Sequence, residues 1–432
     1  IFTFFLNIIL NPILIFGFSL NLGLPVSGVE FFDINKPGIE KVKISLIANN
    51  EDEDIIDPLV AQLKNQLGKT LLFDVVDDPS KASYKLEINA TNSSDTIAAT
   101  LSGSQDSSFE AFTVGMKFRS EKPEYVSRKS AQLGNRIIKK LMGINGSLGS
   151  ILVWSESKRG ESRNSLYMGR LGIDKKTKLT YNLFNNTGAS WGPKNENIIY
   201  SAQTGRGSEV LWQGFRPLRL KAKSIHYDQG KGSSASWGSN GKVYLAKYRG
   251  DKNTDIYEYN IVFGGKERKP SLEMSRRLTK HSAIETEPVL SPDGKKLAYI
   301  SDKTGRPQVY LMNLSSKKVS RLSKKGSYNT SPSWSPDSSM VAFTSSRKGS
   351  RTAIYRVRID SSLSSERQVS PKGMAAESPS WSPDGSMIAF QGWHRGDWKI
   401  FYVLSSGSSA ERLTNSKQGI VETGPAWSSK LR

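Results

Sequence analysis

The residues able to do chemistry in this chain of 432 are few and scattered. Three histidines, His226, His281 and His394, stand far apart and without metal-ligand spacing. Cysteine is absent, which excludes disulfides, thiol nucleophiles and Cys-held zinc or iron–sulfur centres. Two carboxylates, Glu287 and Glu377, precede expected strands at matching points of a repeated pattern. With His281 and His394 they could serve a metal-dependent lyase only if the fold brought them together, and nothing in the spacing demands that. A serine hydrolase needs a nucleophile elbow with acid and histidine partners, and no span is left for an α/β-hydrolase domain to carry one. The acidic run Glu51-Asp52-Glu53-Asp54 could take a cation, but it reads more simply as a solvated loop complementing a helix N-terminus. No catalytic residue, metal or cofactor is expected, and the chain reads as a binding protein rather than an enzyme.

The elements that would position such residues announce themselves by repetition. SPSWSPDSSMVAFTS at 331–345 returns as SPSWSPDGSMIAFQ at 378–391 and as EPVLSPDGKKLAYIS at 287–301. Weaker copies lie at 188–201 and 235–246, and a half-copy, GPAWSS, closes the chain at 424–429. The anchors Trp191, Trp237, Leu290, Trp334, Trp381 and Trp427 are spaced by 46, 53, 44, 47 and 46 residues. Within a unit, a strand ends at the anchor, and Ser-Pro-Asp-Gly makes a tight turn, with Pro fixing φ and Gly relaxing the last position. An apolar strand follows, then a third such as Val309–Met312, then a short fourth such as Arg321–Ser323. Four antiparallel strands at this period make a propeller blade. The final copy stops after one strand, and ILVWS at 151–155 supplies its missing neighbour. The expectation is mainly β: six blades closed by a C-terminal strand, with the tryptophans wedged between blades.

Ahead of the repeats, VKISLIA at 42–48 reads as a strand, and Asp57-Pro58 as the cap and first residue of a helix buried through Ile56, Leu59, Val60, Leu63 and Leu67. Strand-like runs at 71–76, 84–90, 96–101 and 112–118 and a second helix over about 124–142 complete a small α/β domain. Residues 1–26 are apolar and uncharged and read as an export signal, cleaved in preference to an uncleaved anchor. The expected division is a signal peptide over 1–28, an α/β domain with an N-terminal docking segment over 29–147, and the propeller over 148–432. Charge follows it. Residues 1–148 hold 15 basic and 17 acidic residues, whereas 149–432 hold 46 and 23, so the net +21 of the chain belongs to the repeats. A body of that sign attracts anionic partners. Export argues against nucleic acid.

In each repeat, polar residues stand just before the strand's Pro or Trp: Thr286-Glu287, Thr330-Ser331, Glu377-Ser378 and Thr423-Gly424. Equivalent positions on successive blades converge on the axis, so they form a candidate ring at one mouth of the propeller. A second candidate is the partly apolar segment Val29–Pro37, with Val29, Phe31, Phe32 and Ile34 as docking side chains.

The order of signal, α/β domain and six blades resembles the TolB family, periplasmic subunits of the Tol–Pal envelope system. VEFFDINKPGIEKVKISL at 29–46, AQLGNRIIKKLMGINGSLGSILVWS at 131–155 and the loop Thr304-Gly305-Arg306-Pro307-Gln308-Val309-Tyr310 carry the resemblance. It implies a periplasmic, non-enzymatic scaffold for envelope integrity and constriction at division. Such a scaffold binds the outer-membrane lipoprotein Pal through the propeller and inner-membrane Tol proteins through the N-terminal segment. The rival readings are a propeller enzyme of lyase or peptidase type and a propeller that binds anionic glycan or lipid.

Overall fold

The computed structural model describes residues 40–49, 53–90, 96–104, 109–205, 207–215, 223–225, 232–248, 253–264, 269–360 and 366–428. The expected signal peptide, the docking residues Val29, Phe31, Phe32 and Ile34, and His226 lie outside the described residues. The chain opens with β1 (Val42–Asn49), α1 (Glu53–Gly68), β2 (Phe73–Val75), β3 (Tyr84–Ala90), β4 (Thr96–Gly103), β5 (Phe112–Lys117) and α2 (Pro123–Met142). The sheet runs in the order β2-β1-β3-β4-β5, parallel at β1 and antiparallel from β3 onwards. Alternation along β4 buries Ile97, Ala99 and Leu101, and the helices cover that core with Leu59, Leu63, Leu133 and Ile137. The helix start is a correction. α1 begins at Glu53, a turn before the expected Asp57 cap, so Pro58 sits inside it. Asp57 lies near the positive helix end, and a proline in the second turn forfeits only one backbone bond. At the other end, Gly143 (φ 72°) closes α2 by donating to the Lys139 carbonyl at 3.0 Å.

Six four-stranded antiparallel sheets follow. Their inner strands are Asn185–Trp191, Gly232–Trp237, Glu285–Leu290, Tyr328–Trp334, Ala376–Trp381 and Ile420–Trp427. Each packs beside the next, and the last beside the first, around one axis. The blade begun at Ile151–Lys158 takes its inner strand from the C-terminus, with Trp427 opposite Leu152, Ala426 opposite Val153 and Thr423 opposite Ser155. The turns are built as their sequence requires. In 382–387, Gly385 (φ 76°) donates to the Ser382 carbonyl at 3.0 Å, and Asp384 accepts from the Ser382 hydroxyl (2.6 Å) and the Ser386 amide (3.0 Å). The anchors do pack between blades: Trp191 Nε1 donates to the Ala426 carbonyl and Trp334 Nε1 to that of Val289, both at 3.0 Å. One apolar cluster runs from α1 and α2 through Leu148, Leu152, Trp154 and Leu171 to Met387, Tyr402 and Trp427, so the α/β layer is seated on the closing seam.

Candidate partner interface

The polar positions marked in the repeats lie inside the inner strands, not before them, and they share one backbone device. In all six strands the residue three before the anchor has positive φ: Gly188, Ser234, Glu287, Ser331, Ser378 and Gly424, between 50° and 63°. At each, the pairing with the second strand shifts register. A bulge of this kind bends the strand and re-aims its side chains. A Cβ added at Gly188 or Gly424 meets nothing within 4 Å, so this position faces open space. Its left-handed backbone favours glycine. Ser378 has no side-chain hydrogen bond that glycine would forfeit, and its amide bond to Thr344 Oγ1 (3.0 Å) survives substitution. Ser378→Gly is therefore expected to leave the melting temperature unchanged or raise it, whereas Ser378→Val lowers stability by about 1–2 kcal/mol. Thermal melts of the two variants check this.

The seven candidates Thr286, Glu287, Thr330, Ser331, Glu377, Ser378 and Thr423 are all half-buried, and much of their bonding runs between blades. Glu287 Oε2 accepts the Ser331 amide at 2.6 Å, and Thr286 Oγ1 lies 3.2 Å from Ser234 Oγ. Glu377 accepts from Thr352 Oγ1 (3.1 Å) and Gln391 Nε2 (3.2 Å), while Gln391 Oε1 receives the Gly424 amide of the next blade at 2.9 Å. Burial pushes the Glu287 carboxyl above its ordinary range, with the bonds from Ser331 opposing.

Among the described residues the histidines are not brought together. His281 Nδ1 accepts the Ala283 amide at 3.1 Å, and His394 packs edge-on against Phe401 at 5.8 Å, each with its own blade's partners. Among the described residues no three His, Asp or Glu side chains form a metal-sized group. The nucleophile elbow is a correction: the sequence reading has none, yet Gly188-Ala189-Ser190-Trp191-Gly192 matches its letters. Ser190, however, lies in an inner strand, and its hydroxyl accepts the Trp237 amide at 2.9 Å, so it is a strut between blades.

Sequence reasoning passed over a second set of side chains, at the same end of the propeller. Five residues before the anchor, the inner strand carries Asn186, Glu285, Asn329 or Glu422, each at most 2% exposed. Each reaches the end of the preceding blade. Asn329 Nδ2 and Arg321 Nη2 both donate to Gln308 Oε1 at 2.7 Å, and Ser323 Oγ joins them at 2.8 Å. The acidic versions are less complete. Thr414 Oγ1 donates to Glu422 Oε2, leaving Oε1 buried without a partner, and Glu285 Oε2 is likewise unsatisfied. Burial raises both carboxyls, and Thr414 and Thr279 oppose the shift by hydrogen bonding. The signal was present in Arg277-Leu278-Thr279, Arg321-Leu322-Ser323 and Arg412-Leu413-Thr414, where Arg and Ser/Thr bracket the leucine that a strand pattern registers.

Comparison with known proteins fits this geometry. The family model described as the TolB beta propeller domain matches residues 270–431. A protein named Protein TolB homolog from Chlorobium luteolum is 36% identical over 81 residues, 18% of this chain and 16% of that protein. A Tol-Pal system protein TolB from Francisella tularensis is 28% identical over 147 residues, covering 34% and 28%. The matched stretches thus span well under two thirds of these curated relatives. Among solved structures, TolB from Acinetobacter baumannii superposes with a TM-score of 0.75 at 19% identity, over 91% of this chain and 98% of that one.

Proposed function

The chain being TolB-like in fold, and in sequence over its last blades, we propose that it is the non-enzymatic propeller scaffold of a Tol–Pal-type system. It works in the periplasm, binds the lipoprotein Pal at the propeller end where the inner strands begin, and engages inner-membrane Tol proteins through the segment around Val29–Ile34. The observation that supports this most is whole-chain: α/β layer and closed six-blade ring follow a TolB over 91% of the residues. A scaffold also suits what the mouth contains among the described residues, a ring of bulged strands with half-buried hydroxyl and carboxylate groups and no convergent acid, base and nucleophile.

Titration of the purified chain with the periplasmic domain of Pal tests the reading. Thr330→Arg, which puts a long cation into the ring at an unstrained position, is expected to weaken that binding at least about tenfold, a loss above 1.4 kcal/mol. Its melting temperature should remain near wild type. No binding by the wild-type chain would sink the assignment of Pal as partner.

A further inference from the structure

Among the described residues, the basic excess of the propeller's connections is concentrated at one end. The connections from second to third strand there carry Lys303, Arg306, Lys348, Arg351 and Arg395, all exposed. The connections from fourth strand to next inner strand add Lys280, Lys324, Lys325, Lys372 and Lys417, again exposed. Against them, among the described residues of the same connections, stand the acids Glu161 and Asp302. At the opposite end the turns alternate in sign, with Asp293, Asp337 and Asp384 beside Lys194, Lys295 and Lys318. Exposed apolar groups follow the same bias. Among the described residues, six of the nine exposed large apolar groups, Tyr181, Leu183, Tyr248, Ile284, Tyr328 and Trp393, lie at the basic end, whereas Val262, Phe263 and Met274 sit on the outer hairpin of Thr254–Gly264 and Lys269–Arg277. Trp393 is braced edge-on by Trp398 at 5.5 Å, which presents it as a fixed anchor. Inside this rim sit the half-buried ring hydroxyls and the carboxylates of Glu287 and Glu377.

We infer that this end takes a protein partner whose contact surface is acidic at its border and donor-bearing at its centre, and that capture is electrostatically steered. The inference deepens the scaffold reading and rests on it for the choice of face. The pattern is not that of a lipid-binding surface. Two carboxylates at the centre would repel anionic headgroups, whereas a protein knob can match acid to rim and amide or ammonium to centre. Aromatic anchors beside long cations are the residue types that dominate protein interfaces.

The test uses the full chain and two variants of equal charge change, R306Q/K348Q/R351Q at the basic end and K194Q/K295Q/K318Q at the other. The probes are the Pal periplasmic domain, a poly-glutamate of about twenty residues, and phosphatidylglycerol vesicles, each at 50 and 300 mM NaCl. Poly-glutamate affinity is expected to fall about tenfold or more with salt and by a similar factor in the first variant, with the second within about twofold of wild type. Equal loss in both variants overturns the inference, because the charge would then act only through its total, and loss in neither overturns it because the charge would not act at all. So does vesicle binding that depends on the first variant's residues while poly-glutamate is ignored. Pal binding that is tight, salt-independent and indifferent to the first variant also overturns it while leaving the scaffold reading intact. Retention of the poly-glutamate pattern with no affinity for Pal does the reverse: the acidic-partner surface stands and the choice of Pal falls.

Discussion

A chain ending at Gly419 is expected to lose its cooperative thermal transition and its near-ultraviolet circular dichroism, not to behave as a trimmed propeller. The missing segment holds the inner strand Ile420–Trp427, which supplies one of six walls around the axis. Its removal strips pairing from Ile151–Lys158 and bares the flanks of the strands beginning at Ala376 and Asn185. Ser428 exchanges bonds with the start of the first blade, donating its amide to the Ile151 carbonyl at 2.8 Å, and Trp427 Nε1 donates to Ser150 Oγ at 2.6 Å. Lys399, 2% exposed, places its ammonium on the Ile420 carbonyl at 2.6 Å and would be left short of a buried partner. Trp427 also belongs to the cluster that seats the α/β layer, so both parts of the chain feel the loss. Trp427→Ala alone should cost about 3–5 kcal/mol, which calorimetry can place between wild type and truncation. An unchanged melting curve for the truncated chain would refute closure by this strand.

What could be read from the sequence was whatever repeats at short range. The Ser-Pro-Asp-Gly turns, the Trp anchors and the apolar second strands are local chemistry copied several times, and the half-copy at Trp427 pointed across the chain to Ile151 because its complement was missing. Contacts between blades were not legible. Gln308 and Asn329, or Glu287 and Ser331, are separated by tens of residues and unlike in type from blade to blade, so no single pattern exposes them. The bulge was hidden for another reason: Ser234, Glu287, Ser331 and Ser378 adopt a conformation that sequence assigns to glycine, which appears only at Gly188 and Gly424. The start of α1 was misjudged because Asp57-Pro58 is a strong start signal, yet the helix already runs from Glu53 and carries Pro58 in its second turn. The polarity of the propeller's charge emerged only when strand direction separated one set of connections from the other.

A large loss from a single polar substitution is expected at Glu258, in the blade whose outer hairpin is extended. Glu258 is 1% exposed and gathers donors from three directions. Arg276 approaches with Nε at 3.1 Å and Nη2 at 3.0 Å, Lys242 Nζ lies at 2.7 Å, and Tyr244 Oη and Ser275 Oγ add bonds at 3.0 and 3.1 Å. Burial would raise this carboxyl, but the bonds from Arg276, Lys242 and Tyr244 outweigh it and hold the pKa at about 2. The folded value lies below the ordinary 4.5, so the group contributes fully above about pH 4.5, and the contribution drains away as pH falls toward 2. Its size at neutral pH is about 2–3 kcal/mol, below the full value of such a shift because Lys242 and Arg276 keep a third or more of their side-chain surface in water. Tyr244 makes the site costly to disturb: it is fully buried, and burial already pushes its hydroxyl to about 12, so loss of the acceptor leaves its O–H donor without that bond while only Asn240 Nδ2 still donates to its oxygen at 2.9 Å. Glu258→Gln should therefore lower stability by about 3 kcal/mol at pH 7. The decisive reading is the pH dependence of that difference. Denaturant midpoints of wild type and variant should converge as the pH is taken from 5 toward 2.5, since protonation does to the native carboxyl what the amide has already done. A gap that stays constant over that range would show that the site acts through packing and not through charge.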